Sequence, residues 1–356
     1  MQQEQLNQIL KMGMRNNASD VHFKAGCPPA LRIDGKLQYL QTEKLKPSDT
    51  WAIASYLLVN TSEEIESVQE FDTSYSVAGV GRFRVNIYRQ RGSMSAILRT
   101  IPAEIPNLEQ LGLPQTLIAL GNLERGMVLV TGASGSGKST TLAALVHHIN
   151  HTRNSHIVTI EDPIEYLHKN AMASISQREI GVDTSGYVVA LRAALRQDPD
   201  VILVGEIRDA DAMDISLKAA ETGHVVFSTV HTVDAVRTIG RLLSLFPNRE
   251  DVTTRMRLAE NLEGTISQRL LPRASGRGRI VACEIMRNTP AVRQCIMEPE
   301  RTMQLKTVIE KSGEQYGMQT FDQHLIRLYT KGSITLEVAK SAASNPNDLE
   351  RALHFS

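Results

Sequence analysis

The chain has 356 residues, and its 39 lysine and arginine residues balance its 39 aspartate and glutamate residues to a formal net charge of zero. A single hydrophobic core usually stops growing at about 250–300 residues, so the length predicts two domains. Binding along DNA or RNA depends on excess positive charge facing phosphates, and the balanced charge therefore argues against a nucleic-acid partner.

The cysteines and the N-terminal residues bear on location. Cys27, Cys283 and Cys295 form no C-x-x-C pair, so neither a disulfide framework nor a thiolate zinc site is expected, and a reducing compartment fits best. The first residues, MQQEQLNQIL, lack a cationic start followed by an apolar core, which argues against a secretory signal. No run reaches the ~18 apolar residues that a membrane-crossing helix needs. We therefore expect a cytoplasmic protein.

Residues 1–100 alternate helical and strand-like patterns and predict a small α+β domain. The segment ALRIDGKLQYL is typical of a β-hairpin, because Asp34-Gly35 between alternating apolar positions is a strong turn signal. In the segment GRFRVNIYRQRG, apolar residues from Phe83 to Ile87 alternate with polar ones, which indicates a half-buried strand with a basic face.

The next stretch, residues 101–114, contains prolines that interrupt regular structure, and it predicts an interdomain linker. Over residues 115–356, short apolar strands such as MVLVT, IVTI, VILVG and VVFSTV alternate with helical segments. That alternation is typical of a parallel sheet covered by helices, so this part of the chain predicts an α/β domain.

The segment GASGSGKS at Gly132–Ser139 matches the P-loop pattern G-x-x-x-x-G-K-[ST] at every position, between an apolar strand and a helical run. Glycines let backbone N–H groups curl around phosphates, and the helix N-terminus adds positive partial charge. Lys138 is predicted to reach the β/γ-phosphates and the Ser139 hydroxyl to bind Mg²⁺. The alternative is a Gly/Ser-rich turn that happens to hold a lysine. The predicted ATP-binding residues are Gly132, Ala133, Ser134, Gly135, Ser136, Gly137, Lys138, Ser139 and Thr140.

Hydrolysis also needs a polarised water, which a carboxylate at the C-terminal end of a neighbouring strand can provide. The apolar strand Val201–Val204 ends in Gly205-Glu206. Asp200 lies at the other end of that strand, roughly 16 Å away at ~3.3 Å per residue. Glu206 is therefore the predicted Walker B carboxylate and a predicted Mg²⁺ ligand, with an exposed strand-end glutamate as the alternative.

A second group of acids, Glu161, Asp162 and Glu165, follows another apolar strand in the segment IVTIEDPIEY. Three neighbouring carboxylates repel one another unless a cation lies nearby, and a Mg-nucleotide site would provide one. Glu161 is the predicted second carboxylate directed at Mg²⁺ or water. The alternative is a solvated acidic turn that caps a helix.

Two histidines flank the strand in AAETGHVVFSTVHT. His224 and His231 are seven residues apart, so on a regular strand they point to opposite faces, and both are not expected to be catalytic. His231 follows the C-terminal end of the strand, where α/β sheets bind ligands, and is the predicted γ-phosphate sensor. A structural histidine bonded to backbone is the alternative, and it is the favoured interpretation of His224.

Hydrolysis at a P-loop often needs a positive charge from outside the phosphate cradle. Arg82 and Arg84 lie on one face of the predicted strand and are predicted to reach a nucleotide held by another subunit. A solvated basic face is the alternative. Arg279, which enters a strand after the loop LLPRASGRG, is a further candidate.

The order of the motifs resembles the PilT/PilU retraction ATPases of the secretion-ATPase superfamily. The resemblance rests on SDVHFKAGCPPALRIDGKL, GRFRVNIYRQRG, LVTGASGSGKSTTLAAL, TIEDPIEY, LRAALRQDPDVILVGEIRD and AETGHVVFSTVHT, and it extends from about residue 18 to GMQTFDQHLIRLYTKGSIT. It implies a PAS-like N-terminal domain and a RecA-like ATPase domain, with ATP and Mg²⁺ as ligands. It also implies a homohexamer at the pilus base beside the inner membrane, acting on the platform protein PilC and the pilin fibre.

By the same resemblance, Glu161 matches the Asp-box glutamate, Glu206 the Walker B glutamate and His231 the His-box histidine. Arg82 and Arg84 match arginines that contact phosphate from the N-terminal domain, and Arg279 matches an arginine of the C-terminal domain. These assignments agree with the roles that the residue patterns suggest.

One segment departs from the family pattern. PilT-type motors carry an A-I-R-N-L-I-like segment needed for retraction, and here the matching stretch PAVRQCIME has Gln294-Cys295 in place of Asn-Leu. An accessory, PilU-like paralogue working beside another motor ATPase, or a weakly hydrolysing regulatory subunit, is therefore an alternative. A pilus assembly or type II secretion ATPase is less consistent with the chain, since those proteins are longer and usually carry a four-cysteine zinc insertion.

Overall fold

The computed structural model describes residues 1–59, 63–102, 104–246 and 252–354. They form two compact units, and each has its own sheet. The first unit comprises Met1–Glu104 together with Glu161–Leu167 and Arg178–Gly186, and the second comprises Ile105–Ile160, His168–Gln177 and Tyr187–Ser356. The predicted boundaries of the linker, residues 101 and 114, stay a prediction.

The first unit contains a six-stranded antiparallel sheet in the order β3-β2-β1-β6-β5-β4. The predicted hairpin is confirmed, because β2 and β3 pair antiparallel across a turn in which Asp34 (φ 50°) and Gly35 (φ 77°) are both left-handed. The strands are β1 Asp20–Lys24, β2 Ala30–Ile33, β3 Lys36–Tyr39, β4 Glu70–Val77, β5 Gly81–Gln90 and β6 Ser93–Thr100, and the helices are α1 Gln3–Arg15 and α2 Pro47–Leu57.

One face of this sheet packs into the hydrophobic core of the unit. Phe83, Val85 and Ile87 on β5 are fully buried, which confirms the alternation predicted from the sequence. They belong to one apolar cluster with Leu6 of α1 and Ile53 of α2. The intervening residues of β5 keep their polar side chains outside this cluster, so the basic face of the strand is left for other contacts.

The second unit is built on a seven-stranded sheet in the order β13-β12-β7-β11-β10-β8-β9. Its central strands β12, β7, β11, β10 and β8 run parallel, whereas β13 pairs antiparallel with β12. Every residue of β7, β10 and β11 is buried, as expected for parallel strands covered on both faces. The strands are β7 Gly126–Thr131, β8 His156–Glu161, β9 Ser174–Glu179, β10 Val201–Val204, β11 Val225–Val230, β12 Leu262–Pro272 and β13 Arg279–Arg287.

The remaining helices follow the strands in sequence. They are α3 Thr116–Gly121, α4 Lys138–Thr152, α5 Tyr187–Ala194, α6 Ala210–Glu221, α7 Ala235–Ser244, α8 Val252–Asn261, α9 Pro290–Met297, α10 Leu305–Lys311, α11 Gly313–Tyr316, α12 Phe321–Thr330, α13 Leu336–Ala342 and α14 Pro346–His354. Within the described ranges, none of these helices has the length and apolar character to cross a membrane.

The segment predicted as a linker contributes to the core of the second unit. Leu108 and Leu113 are 7% and 8% exposed and pack in one cluster with Leu117, Leu145 and Ile285. The prolines before them interrupt regular structure, but the two leucines pack into the apolar cluster that includes residues of the sheet. The end of this segment is therefore positioned by packing.

Candidate nucleotide site

The P-loop lies between the end of β7 at Thr131 and the start of α4 at Lys138. Gly132, Gly135 and Gly137 have φ of 145°, 75° and 91°, values that side-chain-bearing residues rarely adopt. The three glycines let the chain turn from a buried strand directly into a helix. The loop thereby presents successive backbone N–H groups at a helix N-terminus, which is the arrangement that binds phosphate.

The first glycine is also required by space. A Cβ atom at Gly132 would lie 2.5 Å from Ser136 Oγ and 2.6 Å from the Gln268 backbone oxygen. Neither distance is possible for a real carbon, so the loop closes against β12 only because position 132 lacks a side chain. The P-loop pattern therefore has a packing reason here in addition to its chemical one.

Lys138 and Ser136 define the interior of the loop. Lys138 is 8% exposed, and its Nζ donates hydrogen bonds to the Gly132 and Ala133 carbonyl oxygens at 2.9 and 3.1 Å. Ser136 is 6% exposed, and its Oγ is buried with no hydrogen-bond partner among the described residues. A buried hydroxyl without a partner is unfavourable, so this group fits a site that takes an oxygen-rich ligand such as a phosphate.

A cavity of about 300 Å³ opens beside the loop within the second unit. Ser136, Gly137 and Thr140 line it on the loop side, and Arg273 and Arg279 line it on the other. This brings the predicted residue Arg279 to the P-loop. Arg273 belongs to the same Gly-rich segment as Arg279, and its more loop-like position made it the less favoured candidate. Leu111 and Leu113 of the predicted linker also line the cavity, and no local signal predicted them.

Glu206 and His231 lie together at the C-terminal edge of the sheet. Glu206 follows β10 and His231 follows β11, and His231 Nε2 lies 3.3 Å from Glu206 Oε2. The strand ends are fixed, since Thr229 Oγ1 donates to the Gly205 carbonyl oxygen at 2.7 Å. Glu206 is 17% exposed and His231 52% exposed, so the pair is accessible to a ligand from the histidine side.

Glu206 has a second partner that the sequence did not indicate. The Arg208 guanidinium forms an ion pair with Glu206 Oε1. The only available signal was its position two residues further on, in the segment EIRD. The carboxylate is therefore held between one arginine and one histidine.

His224 lies before β11 and away from this edge. Its Nδ1 lies 2.9 Å from the Ala219 carbonyl oxygen and 3.1 Å from Thr222 Oγ1, at the end of α6. These contacts fit the structural interpretation of His224. Both histidines lie outside the strand Val225–Val230, so strand alternation does not determine where they point.

Glu161 is the last residue of β8 and is grouped with the first unit. Its backbone oxygen accepts a hydrogen bond from the Ile180 N–H at 2.9 Å. This bond ties the acidic segment after β8 to the turn after β9. The role of the Glu161 side chain toward Mg²⁺ or water stays a prediction.

The two predicted arginines of β5 differ in their surroundings. The Arg82 guanidinium donates to Glu179 at 2.6 Å and its side chain is 16% exposed, whereas Arg84 is exposed. Glu179 is 1% exposed, and no sequence pattern marked it as a site residue. The partner of Arg82 lies 97 positions away along the chain, a pairing that no local motif encodes.

In the part of the chain that the structure describes, no group of three or more histidine, cysteine, aspartate or glutamate side chains is arranged to hold a metal ion. Mg²⁺ in nucleotide sites typically uses one or two protein ligands and completes its shell with phosphate oxygens and water. The Ser139 hydroxyl at the start of α4 fits that kind of site. A nucleotide would therefore have to supply most of the ligands.

The family of the chain follows from its similarity to other proteins. A family model described as "Type II/IV secretion system protein" matches residues 2–338. The chain belongs to this family. Two proteins of type IV pili are similar to the chain over nearly its whole length.

The relatives include PilT and PilU of Pseudomonas aeruginosa, described as "Type IV pilus retractation ATPase PilT" and "Type IV pilus ATPase PilU". PilT is 42% identical over 345 residues, covering 96% of this chain and 99% of PilT. PilU is 38% identical over 346 residues, covering 97% of this chain and 90% of PilU. The resemblance to the PilT/PilU family is thus confirmed.

Among solved structures, one described as "Crystal Structure of the Pilus Retraction Motor PilT and Bound ADP" matches with a TM-score of 0.87 and 43% identity. It covers 97% of this chain and 98% of that chain. The match confirms the predicted fold class, an α/β ATPase domain with a smaller N-terminal domain. The chain is therefore similar to PilT and PilU and belongs to a nucleotide-binding family.

Proposed function

We propose that the chain is an ATPase that uses ATP hydrolysis to retract type IV pili. The observation that carries the proposal is that one unit holds both the P-loop, between β7 and α4, and the Glu206–His231 pair, at the ends of β10 and β11. A phosphate cradle and a charged group that orients water are the parts that phosphoryl transfer to water requires. The similarity to PilT supports pilus retraction as the work performed.

Each residue of the site has a role in this proposal. The backbone N–H groups of the P-loop and Lys138 hold the β/γ-phosphates, and the Ser136 hydroxyl donates to a phosphate oxygen. Mg²⁺ neutralises phosphate charge when bound, and Ser139 would hold it, with Glu161 and Glu206 as further candidate ligands. Glu206 orients the attacking water and accepts its proton, and His231, 3.3 Å away, senses the γ-phosphate and keeps the carboxylate in place.

The arginines extend the site. Arg279 lines the cavity beside the P-loop and is proposed to neutralise phosphate charge in its own subunit. Arg82 and Arg84 are proposed to reach the nucleotide of a neighbouring subunit in a homohexamer. Such a ring would work in the cytoplasm at the inner membrane, against a PilC-like platform protein and the pilin fibre. No nucleic acid takes part.

A PilU-like accessory role is the second candidate, and one observation favours it. In α9, Gln294 and Cys295 replace the Asn-Leu of PilT-type motors. Cys295 is 3% exposed, whereas the Gln294 side chain donates to Glu298 Oε1 at 2.9 Å. The substitution therefore changes one packed position and one surface position of the segment, while the nucleotide site is left intact.

The biochemical test compares three purified variants. Glu206→Gln removes the charge that orients water, and we expect ATP turnover to fall about 100-fold or more while nucleotide binding is kept. Lys138→Ala should abolish binding itself. Glu337→Gln removes a charge from the exposed surface of α13 and should leave turnover unchanged. Equal turnover in the wild type and Glu206→Gln would refute hydrolysis at this site.

The physiological test separates the two candidates. A deletion strain of a main retraction motor should be hyperpiliated and should lose twitching motility. An accessory subunit would leave pili able to retract through its paralogue, and the strain would lose force or speed instead. Normal pili and normal twitching after deletion would contradict both.

A further inference from the structure

A buried carboxylate is the centre of a polar cluster in the first unit. Glu179, the last residue of β9, is 1% exposed. Its oxygens accept hydrogen bonds from the Ser74 hydroxyl, from the Arg82 guanidinium at 2.6 Å and from the Ile164 backbone N–H at 3.0 Å. A buried charge is costly unless it is paired and hydrogen-bonded, and these three donors satisfy that need.

Arg82 is held on more than one side. Its Nη2 donates both to Glu179 and to Ser74 Oγ, each at 2.6 Å, and its Nη1 donates to Ser76 Oγ at 3.1 Å. The Arg82 Nε is buried and has no hydrogen-bond partner among the described residues. The guanidinium is thus fixed by strand β4 and one carboxylate, although one of its N–H groups is left without a partner.

The cluster also includes the segment that carries Glu161. Ile164, whose N–H donates to Glu179, lies three residues after Glu161, and the Ile180 N–H donates to the Glu161 backbone oxygen at 2.9 Å. Glu179 and Ile180 are consecutive. Glu179 therefore accepts one of the two hydrogen bonds that fix the acidic segment after β8, and the next residue, Ile180, donates the other.

Arg84, on the same strand, differs from Arg82 in its exposure to solvent. The two arginines are two positions apart on β5, and Arg84 is exposed whereas the Arg82 side chain is 16% exposed. Of the two β5 arginines proposed to contact phosphate, Arg82 is therefore the one that the structure restrains. A phosphate group offers the same kind of charged oxygen acceptor as a carboxylate, so it can replace Glu179 as the partner of Arg82.

We propose that Glu179 is a positioning residue for Arg82, which holds the guanidinium until nucleotide phosphate oxygens replace the carboxylate as its partner. This proposal rests on the proposed function, in which Arg82 contacts phosphate. When Arg82 leaves, the Glu179 carboxylate keeps only the Ser74 and Ile164 donors. The arrival of nucleotide at Arg82 is thereby linked to the hydrogen bonds that fix the segment carrying Glu161.

The test is Glu179→Gln, which removes the charge. Its one acceptor oxygen can still accept the Ile164 N–H, and its amide NH₂ can donate to Ser74 Oγ, which now donates to the other carboxylate oxygen. The charged carboxylate then no longer competes with phosphate oxygens for the Arg82 guanidinium. We therefore expect the Kd for a fluorescent ADP analogue and the KM for ATP to fall about 10-fold in the assembled protein. In an Arg82→Ala background, Glu179→Gln should change neither constant. Glu70→Gln, which removes an exposed charge on β4 of the same unit, is the matched control.

Ser74→Ala is the second variant, because it removes the hydroxyl that contacts both Arg82 and Glu179 without altering any charge. It should lower Kd and KM in the same direction, about 3-fold. An unchanged or raised Kd in Glu179→Gln and Ser74→Ala would overturn the proposal, as would an equal fall in the Arg82→Ala background. If Arg82→Ala alone leaves Kd, KM and kcat unchanged while Glu206→Gln still lowers turnover about 100-fold or more, the phosphate role of Arg82 is refuted and the ATPase proposal stands.

Discussion

Replacing Glu284 with glutamine should remove a pH dependence of stability from the second unit. Glu284 lies on β13, is 6% exposed, and accepts the backbone N–H of Ala235, the first residue of α7, at 2.8 Å. Burial raises the pKa of its carboxyl to about 7 from 4.5. The Ala235 hydrogen bond, Lys306 and Arg269 act in the opposite direction, and the nearby Asp234 adds to the increase in pKa.

The sign follows from which state binds the proton more tightly. Because the folded protein holds this proton up to about pH 7 and the unfolded chain releases it near pH 4.5, stability falls as the pH rises through that window. At 1.36 kcal/mol per pKa unit, the loss reaches about 3 kcal/mol at pH 8. About 1 kcal/mol of this stability has already been lost at pH 5.5, so about 2 kcal/mol is lost between pH 5.5 and pH 8.

Thermal unfolding at these two pH values measures the effect. Glu284→Gln carries no proton that titrates, so the Tm difference between the variant and the wild type should grow in favour of the variant by about 4–8 °C from pH 5.5 to pH 8. Glu337→Gln, on the exposed surface, should show no such growth. A Tm difference that is the same at both pH values would refute the assignment of a raised pKa to Glu284.

Two further substitutions test the nucleotide site. Gly132→Ala places a Cβ 2.5 Å from Ser136 Oγ at a left-handed φ of 145°. A fluorescence titration should therefore show a Kd for nucleotide that is at least about 10-fold higher. Gly240→Ala, with no atom within 4 Å of the new Cβ, should bind nucleotide normally in the same titration. Arg279→Ala should raise the KM for ATP about 10-fold, since Arg279 lines the cavity beside the P-loop, and Arg277→Ala, in the preceding loop, should not. Normal nucleotide affinity in Gly132→Ala, or equal KM values for the two arginine variants, would count against the site as described.

The P-loop could be predicted because all of its chemistry is local in the sequence. Its glycines, Lys138 and Ser139 have fixed spacing, and the flanking apolar strand and helical run lie immediately before and after them. The position of Glu206 could be predicted for a related reason, because the end of a buried strand marks the ligand-binding edge of an α/β sheet. In both cases the position along one element determined the position in space.

Contacts between distant segments could not be predicted. Arg82 pairs with Glu179, 97 positions away, and Gln268 on β12 comes against Gly132 of the P-loop. Neither Glu179 nor Gln268 belongs to a sequence motif. The contacts that each residue makes depend on strand register and on which strands become neighbours in the fold. The alternation on β5 predicted the basic face correctly, but it gave no indication that one arginine of that face is held by a buried carboxylate.

Three of the charged residues proposed to act on nucleotide already have a partner within the protein. Lys138 donates to two loop carbonyl oxygens, Arg82 donates to Glu179, and Glu206 is paired with Arg208. A phosphate group must replace the partners of Lys138 and Arg82, and affinity is therefore a difference between two sets of hydrogen bonds. Removing an internal partner should tighten binding, whereas removing the charged residue itself should weaken it, and this opposition in sign distinguishes exchange of partners from a site that is simply open.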